Sequence, residues 1–365
     1  MMMNINFAVL ARQYEKYQAE YEEAALRTLR SGWYIMGKEL ETFEKLYADY
    51  QGSKYCLGVG NGLDALRLAL TALGVGAGDE VIVQTNTFIA TALAITESGA
   101  TPVFVEADDY FGVDPDAIEK AITPKTKAIM AVHLYGQPCD MDAICAIAKK
   151  HNLFIVEDCA QCHGATYKGK KCGTFGDVAA FSFYPTKPIG AFGDSGAVTT
   201  DNEKVYEKLR MLRNYGSRVK YDHEIIGINS RLDEIQAAIT AVNVRHAEEN
   251  NAERMEIARK YTESINNPKV KIPAIRPDTT HVYHVFPIMC EDREDLKKYL
   301  EEKGIATQIH YPISCHLAGC YSDFGYKEGD LPKSEYFAKH ELSLPIYVGL
   351  TNEEIQYIID AINAY

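Results

Sequence analysis

Positive charge, long apolar runs and low-complexity spacers are all scarce in this sequence. Its 365 residues carry 38 Lys and Arg against 51 Asp and Glu, a net charge of −13. Nucleic acid and anionic membranes recruit proteins through basic footprints, so neither is expected as the main partner. Apolar runs such as Ala128–Val132 stop after a handful of residues, far short of the ~20 that cross a bilayer. The start, Met1–Arg12, lacks the charged residues and continuous apolar stretch of an export signal. Nine cysteines, an odd number without repeated spacing, argue for reduced thiols and against a disulfide framework. A cytoplasmic protein is expected. No repeat or linker interrupts the chain, and 47% hydrophobic with 24% charged residues describes a packed protein.

Short β-branched or apolar runs alternate with segments of helical period, the pattern of parallel strands joined by crossover helices. Tyr55–Val59, Glu80–Gln84, Thr101–Glu106, Thr126–His133 and Leu153–Glu157 read as strands. Helices are expected over Asn61–Leu73 and from near Thr87, Asp114 and Asp140. Val178–Tyr184 and Gly196–Thr199 follow each other without a long helix between them, so the sheet should be mixed, part parallel and part antiparallel. The text then turns helical from Asn202 to Arg245. After His246 the pattern repeats on a smaller scale, with strands near His281–Cys290 and Ala306–His310 and helices near Asp292–Lys303 and Thr351–Ala364. The expected architecture is α/β: a large domain over 1–245 and a smaller C-terminal α/β domain over 246–365.

Three groups of residues carry chemistry. Gly60-Asn61-Gly62-Leu63-Asp64 stands between a strand end and a helix start, where glycines admit an anion to free N–H groups and the helix dipole favours a phosphate. Alone, such a segment is often no more than a turn. Glu157-Asp158-Cys159-Ala160-Gln161-Cys162-His163 follows an apolar strand, so its carboxylates lie at the carboxyl end where open α/β sheets place ligands. A carboxylate there needs a cation or hydrogen bonds, and a protonated ring nitrogen is one such cation; a helix cap or internal salt bridge is the plainer alternative. Cys159 and Cys162 form a C-x-x-C without a second pair at metal spacing, so no metal is expected. Ser182-Phe183-Tyr184-Pro185-Thr186-Lys187 leads into Gly190, Gly193 and Gly196. A lysine held away from bulk water has a lowered pKa and can form an imine, although a loop lysine is more often merely exposed. A phosphate cradle, a strand-end carboxylate and a lysine in this order are what pyridoxal 5′-phosphate needs. Phe88, after a strand, is the candidate to pack on its ring.

The sequence resembles the DegT/DnrJ/EryC1/StrS aminotransferases, fold type I enzymes that use pyridoxal phosphate to aminate nucleotide-linked keto-sugars. The resemblance runs through Gly32-Trp33-Tyr34-Ile35-Met36-Gly37-Lys38-Glu39, Gly60–Leu66, Glu157–Gln161, Phe181–Lys187, Gly227–Ala238 and His310-Tyr311-Pro312. It implies Lys187 as the lysine that binds the cofactor and carries the proton, and Asp158 as the partner of the ring nitrogen. Gln161 would lie near the cofactor hydroxyl. Gly62, Leu63 and Ser182 would hold the phosphate, joined by Asn229 from the neighbouring subunit, which makes a homodimer with shared active sites. Many members have a hydroxyl residue where Leu63 stands; Leu63 offers only its backbone N–H. Some members carry His in place of the lysine and act as dehydratases, so Lys187 implies transamination, with L-glutamate as donor and 2-oxoglutarate as its product. The segment Lys187–Ala197 resembles enzymes that aminate C3 of dTDP-3-keto-6-deoxyhexoses more than those acting at C4. A C4-aminotransferase and a non-catalytic regulatory protein that binds pyridoxal phosphate are the alternatives. Expected contacts to the dTDP-linked keto-sugar are Tyr34, His163, Tyr184, Lys220, Tyr221, His310 and Tyr311, although with 24 tyrosines in the chain ordinary packing competes for each.

Overall fold

In the computed structural model, which describes residues 3–365, a seven-stranded sheet forms the centre. Across it the strands run Tyr55–Val59, Gly196–Thr200, Val178–Ser182, Phe154–Asp158, Thr126–Val132, Glu80–Gln84 and Thr101–Val105. Gly196–Thr200 is antiparallel to both neighbours, and the other pairings are parallel. The sheet is therefore mixed, as the missing crossover before Gly196 predicts. Helices cover both faces and bury continuous apolar strands such as Val81-Ile82-Val83 and Ala128–Val132, the composition of strands with no solvent face.

The helix starts have local causes. Asn61 caps Gly62–Leu73 by accepting a hydrogen bond from Asp64 N at 2.8 Å, Asp114 caps Pro115–Ala121, and Asp140 caps Met141–His151. Such side chains satisfy N–H groups that the helix itself leaves free. The stretch 202–245 departs from the helical expectation. Helix Glu203–Leu212 ends, a hairpin of Ser217–Val219 and Asp222–His223 follows, and helix Glu234–Arg245 begins afterwards. Gly216 decides this: at φ +74° a Cβ would stand 1.6 Å from the Ile225 carbonyl oxygen, so only glycine lets the two arms close.

A second core lies beyond this sheet. Helices Arg293–Glu302 and Asn352–Ala364 pack on a three-stranded antiparallel sheet of Val270–Lys271, Phe286–Cys290 and Glu341–Leu344. Ile5 from the N-terminal segment joins this core and pairs with Ile305. Within helix Ala247–Ser264, Ala247 packs with the large core and Ile257, Ala258 and Tyr261 with the small one. Ala306–His310 is not a strand. It makes a single bridge, Gln308 to Ser343, because the N–H of His310, two residues on, turns to the Glu341 carboxylate at 2.6 Å. No helix among the described residues is long and apolar enough to cross a membrane.

Candidate active site

At the carboxyl end of the large sheet, the side chains of Phe154–Asp158 alternate between its two faces. Glu157 and Asp158, adjacent in sequence, consequently enter different surroundings. Glu157 is fully buried among donors: Gly173 N at 2.6 Å, Gly176 N at 2.7 Å, Phe175 N at 2.8 Å and His133 Nε2 at 3.0 Å. Burial raises its pKa, but these donors outweigh it and hold the carboxyl below its ordinary value. Asp158, 5% exposed, accepts only from Thr91 Oγ1 at 2.8 Å and Ala160 N at 3.1 Å and makes no ion pair among the described residues. Burial pushes its pKa up, against the pull of Thr91, Ala160 and Lys187. Asp158 is thus a carboxylate short of a cation.

Lys187 follows a turn in which its N–H donates to Tyr184 O at 2.8 Å. Burial pushes the amine down to about 8, and Asp158 opposes that fall. Nearby, the first N–H groups of helix Gly62–Leu73 face Ser182. Asn61 takes the amides of Asp64 and Ala65, which leaves those of Gly62 and Leu63 without an intrahelical partner. A Cβ on Gly62 would lie 2.6 Å from Ser182 Cβ, so a larger residue would close this cradle.

Phe88, half exposed, tilts against Tyr311 with ring centroids 5.2 Å apart. Gln161 bridges inward, accepting from Tyr135 N at 2.6 Å and donating to Tyr311 Oη at 3.1 Å. Burial raises the Tyr311 phenol, so it stays protonated. His310 shares a proton through Nδ1 with Ser343 Oγ at 2.9 Å, and Ser343 donates to Glu341 at 2.5 Å. Burial and then Lys187 bring the His310 imidazole down to about 4. Asn86 Oδ1 and both nitrogens of His163 are buried without partners.

The chain thus gathers Gly62, Leu63, Phe88, Asp158, Gln161, Ser182, Lys187, His310 and Tyr311 at one end of the sheet. Tyr184, three residues before Lys187, is exposed. His163 differs from the expected open contact: it is fully enclosed between Phe181, Phe183 and Tyr47, and burial followed by Lys187 lowers it to about 3. Tyr34 is exposed, with its hydroxyl on Leu29 O. Asn229 is exposed next to the hairpin that carries Lys220 and Tyr221, and Tyr221 is 83% exposed. Lys220 is exposed as well. Thr91 went unseen in the sequence, although it lies one helical turn after Phe88; the Glu341–Ser343–His310 relay had no local signal. His133 joins Cys159 and Cys162 with ligand-type atoms within 4.8 Å of one another, but Nε2 of His133 is bonded to Glu157 and Nδ1 accepts from Cys139 N.

Residues 15–363 match the model of the DegT/DnrJ/EryC1/StrS aminotransferase family. This chain belongs to that family. The aminotransferase is 49% identical over 351 residues to the dTDP-3-amino-3,6-dideoxy-alpha-D-galactopyranose transaminase of Aneurinibacillus thermoaerophilus, with 96% of each chain covered. It is 47% identical over 363 residues to the dTDP-3-amino-3,4,6-trideoxy-alpha-D-glucose transaminase of Streptomyces venezuelae, covering 99% of this chain and 96% of that one. Among solved structures, it is similar to S. venezuelae DesV in complex with a ketimine intermediate, at TM-score 0.97 and 47% identity, covering 99% and 98% of the two chains. NtdA from Bacillus subtilis with bound cofactor PMP superposes at TM-score 0.92 and 34% identity, covering 99% of this chain and 85% of that one.

Pyridoxal phosphate is the cofactor of this aminotransferase, and the residues present fit it. Asp158 lacks a cation, the amides of Gly62 and Leu63 lack acceptors beside Ser182, and the Lys187 amine sits within reach of Asp158's field.

Proposed function

We propose that this enzyme transfers an amino group from L-glutamate to C3 of a dTDP-linked 3-keto-6-deoxyhexose, giving the 3-amino-3,6-dideoxyhexose and 2-oxoglutarate. The similarity to two dTDP-3-amino-sugar transaminases over nearly the full chain carries this reading. The site geometry supports it independently of substrate, because it supplies the groups transamination requires.

When bound, pyridoxal phosphate supplies an aldehyde that takes up an amino group and a ring that withdraws electrons from a carbon losing its proton. The protein does the rest. Gly62 N, Leu63 N and Ser182 Oγ hold the phosphate, and Asn229 of the neighbouring subunit completes the cradle. Phe88 would pack on the cofactor ring. Asp158, oriented by Thr91 and Ala160, would keep a proton on the ring nitrogen, the cation that its surroundings otherwise leave unsupplied. Gln161, fixed by Tyr135 N, presents its amide to the ring hydroxyl. Lys187, with an amine near neutrality, removes a proton at one carbon and returns it at the next.

A homodimer is part of the proposal. Trp33, Tyr34, Ile35 and Met36, consecutive in the chain, are all exposed, a run of bulky apolar surface of the kind that a protein partner covers. Tyr34, Lys220, Tyr221 and Asn229 would then meet the partner's sugar nucleotide, with Lys220 on its diphosphate. A reducing cytoplasm suits nine free thiols.

The deciding experiment supplies holoenzyme and L-glutamate with dTDP-4-keto-6-deoxyglucose, with and without a 3,4-ketoisomerase, and reads the product by mass spectrometry and NMR. Amine at C3 only when the isomerase is present supports the proposal. Amination without the isomerase puts the nitrogen at C4 and overturns it.

A further inference from the structure

A second opening reaches Thr186, the residue before Lys187. A cavity of about 390 Å³ is lined by Thr186 on the large domain, by Arg254, His284 and His310, and by Phe7 and Val9 of the N-terminal segment. Arg254 is only 4% exposed, yet no carboxylate among the described residues pairs with it. Its Nη1 donates to Ile346 O at 3.1 Å, and its Nε is buried with no acceptor. The adjacent Glu253 is engaged elsewhere, accepting from Gly349 N at 2.5 Å and from Lys16 Nζ at 3.1 Å. A buried guanidinium without a counter-ion is costly, and burial indeed brings this one down to about 10.

The neighbours point to what would complete it. His284 Nδ1 is also buried without a partner, and burial together with the nearby cations Lys187 and Arg254 keeps that ring neutral. The cavity therefore offers a fixed positive charge next to an unsatisfied neutral imidazole, with apolar side chains of Phe7, Val9 and Val348 along the way. That arrangement suits a short methylene chain ending in a carboxylate, because a guanidinium takes a carboxylate through two parallel hydrogen bonds. Thr186 ties the cavity to the reacting lysine by one peptide bond.

We propose that Arg254 anchors the side-chain carboxylate of an acidic amino donor in this cavity. The inference rests on the aminotransferase reading and adds to it the subsite that selects the donor. His284 assists the anchoring, and the N-terminal segment around Phe7 forms the cavity's outer wall.

The test uses holoenzyme and the variants Arg254→Met and Arg254→Lys. Stopped-flow absorbance of the bound cofactor gives the rate constant for reaction with L-glutamate and with L-alanine, which lacks the second carboxylate. Calorimetry with glutarate, which has no amine to react, reads the carboxylate site alone. Arg254→Met should lower the preference for glutamate over alanine about 100-fold and weaken glutarate about 100-fold, the scale of a lost buried ion pair; Arg254→Lys should recover part of both. Unchanged preference and unchanged glutarate affinity in Arg254→Met overturn the assignment. If wild-type holoenzyme reacts with no amino acid, the transaminase reading fails, and glutarate binding still decides the cavity. Thermal melts of both variants identify any loss of folding.

Discussion

Glu157 and Asp158 are neighbours in sequence, both buried, and at the end of the same strand, but they occupy opposite kinds of environment. Glu157 meets three backbone N–H groups and a histidine, so its charge is fully answered within the protein. Asp158 meets a hydroxyl and one amide and retains a deficit of positive charge. A satisfied buried charge organises structure, whereas an unsatisfied one marks the place where a ligand belongs. The same contrast separates Arg213, paired with Glu44 and the Gly58 carbonyl, from Arg254, which has only Ile346 O.

The sharpest way to break the comparison is to empty the reactive side. Lys187→Ala removes the proton carrier, and the transamination rate should fall about 10⁴-fold or more, beyond what a single general base ordinarily contributes, while the variant retains cofactor absorbance. Full activity would refute the assignment. Asp158→Asn comes next: turnover should drop about 10²- to 10³-fold. Its melting temperature without cofactor should stay level or rise, since a costly buried charge disappears. Glu157→Gln should behave in reverse. Losing the charge opposite four donors should cost about 3 kcal/mol of stability in denaturant titration, with turnover per folded molecule within about threefold of wild type. Should Glu157→Gln silence a stable protein, the division of labour between the two carboxylates is wrong.

The smallest effect is a pH dependence. The Lys187 amine titrates at about 8 in the folded protein against 10.5 for a free lysine. Between those values the unfolded chain binds more protons than the folded one, so the stability of the cofactor-free protein should climb as pH rises from about 8 to 10.5. Lys187→Met should flatten that segment of the curve. An identical slope in both proteins would mean that Lys187 is not the titrating group.

Several features were legible because their signals are local. A lysine after an apolar strand, a carboxylate at a strand end and a glycine turn before a helix each occupy a few consecutive residues, and their order carries the family resemblance. Asn61, Asp114 and Asp140 announce their helices by side-chain capping, which also acts within four residues. The hairpin after Leu212 was missed because its cause is the close approach of Gly216 to Ile225, a contact between two chain segments. His310 was legible as a residue type but not as an oriented one, since Glu341 and Ser343 hold it from a strand 31 and 33 residues later.

What the chain order alone determined is the inventory: alternating strands and helices, a mixed sheet, and the chemical groups at their junctions. Periodicity, capping and turn chemistry are short-range forces, so they can be read along one dimension. That Glu157 is answered by four donors while Asp158 meets only two, and that Arg254 is left without a carboxylate partner, was decided only by folding. Burial and hydrogen-bond satisfaction depend on every segment that packs around a group, and those segments are brought together from across the whole chain.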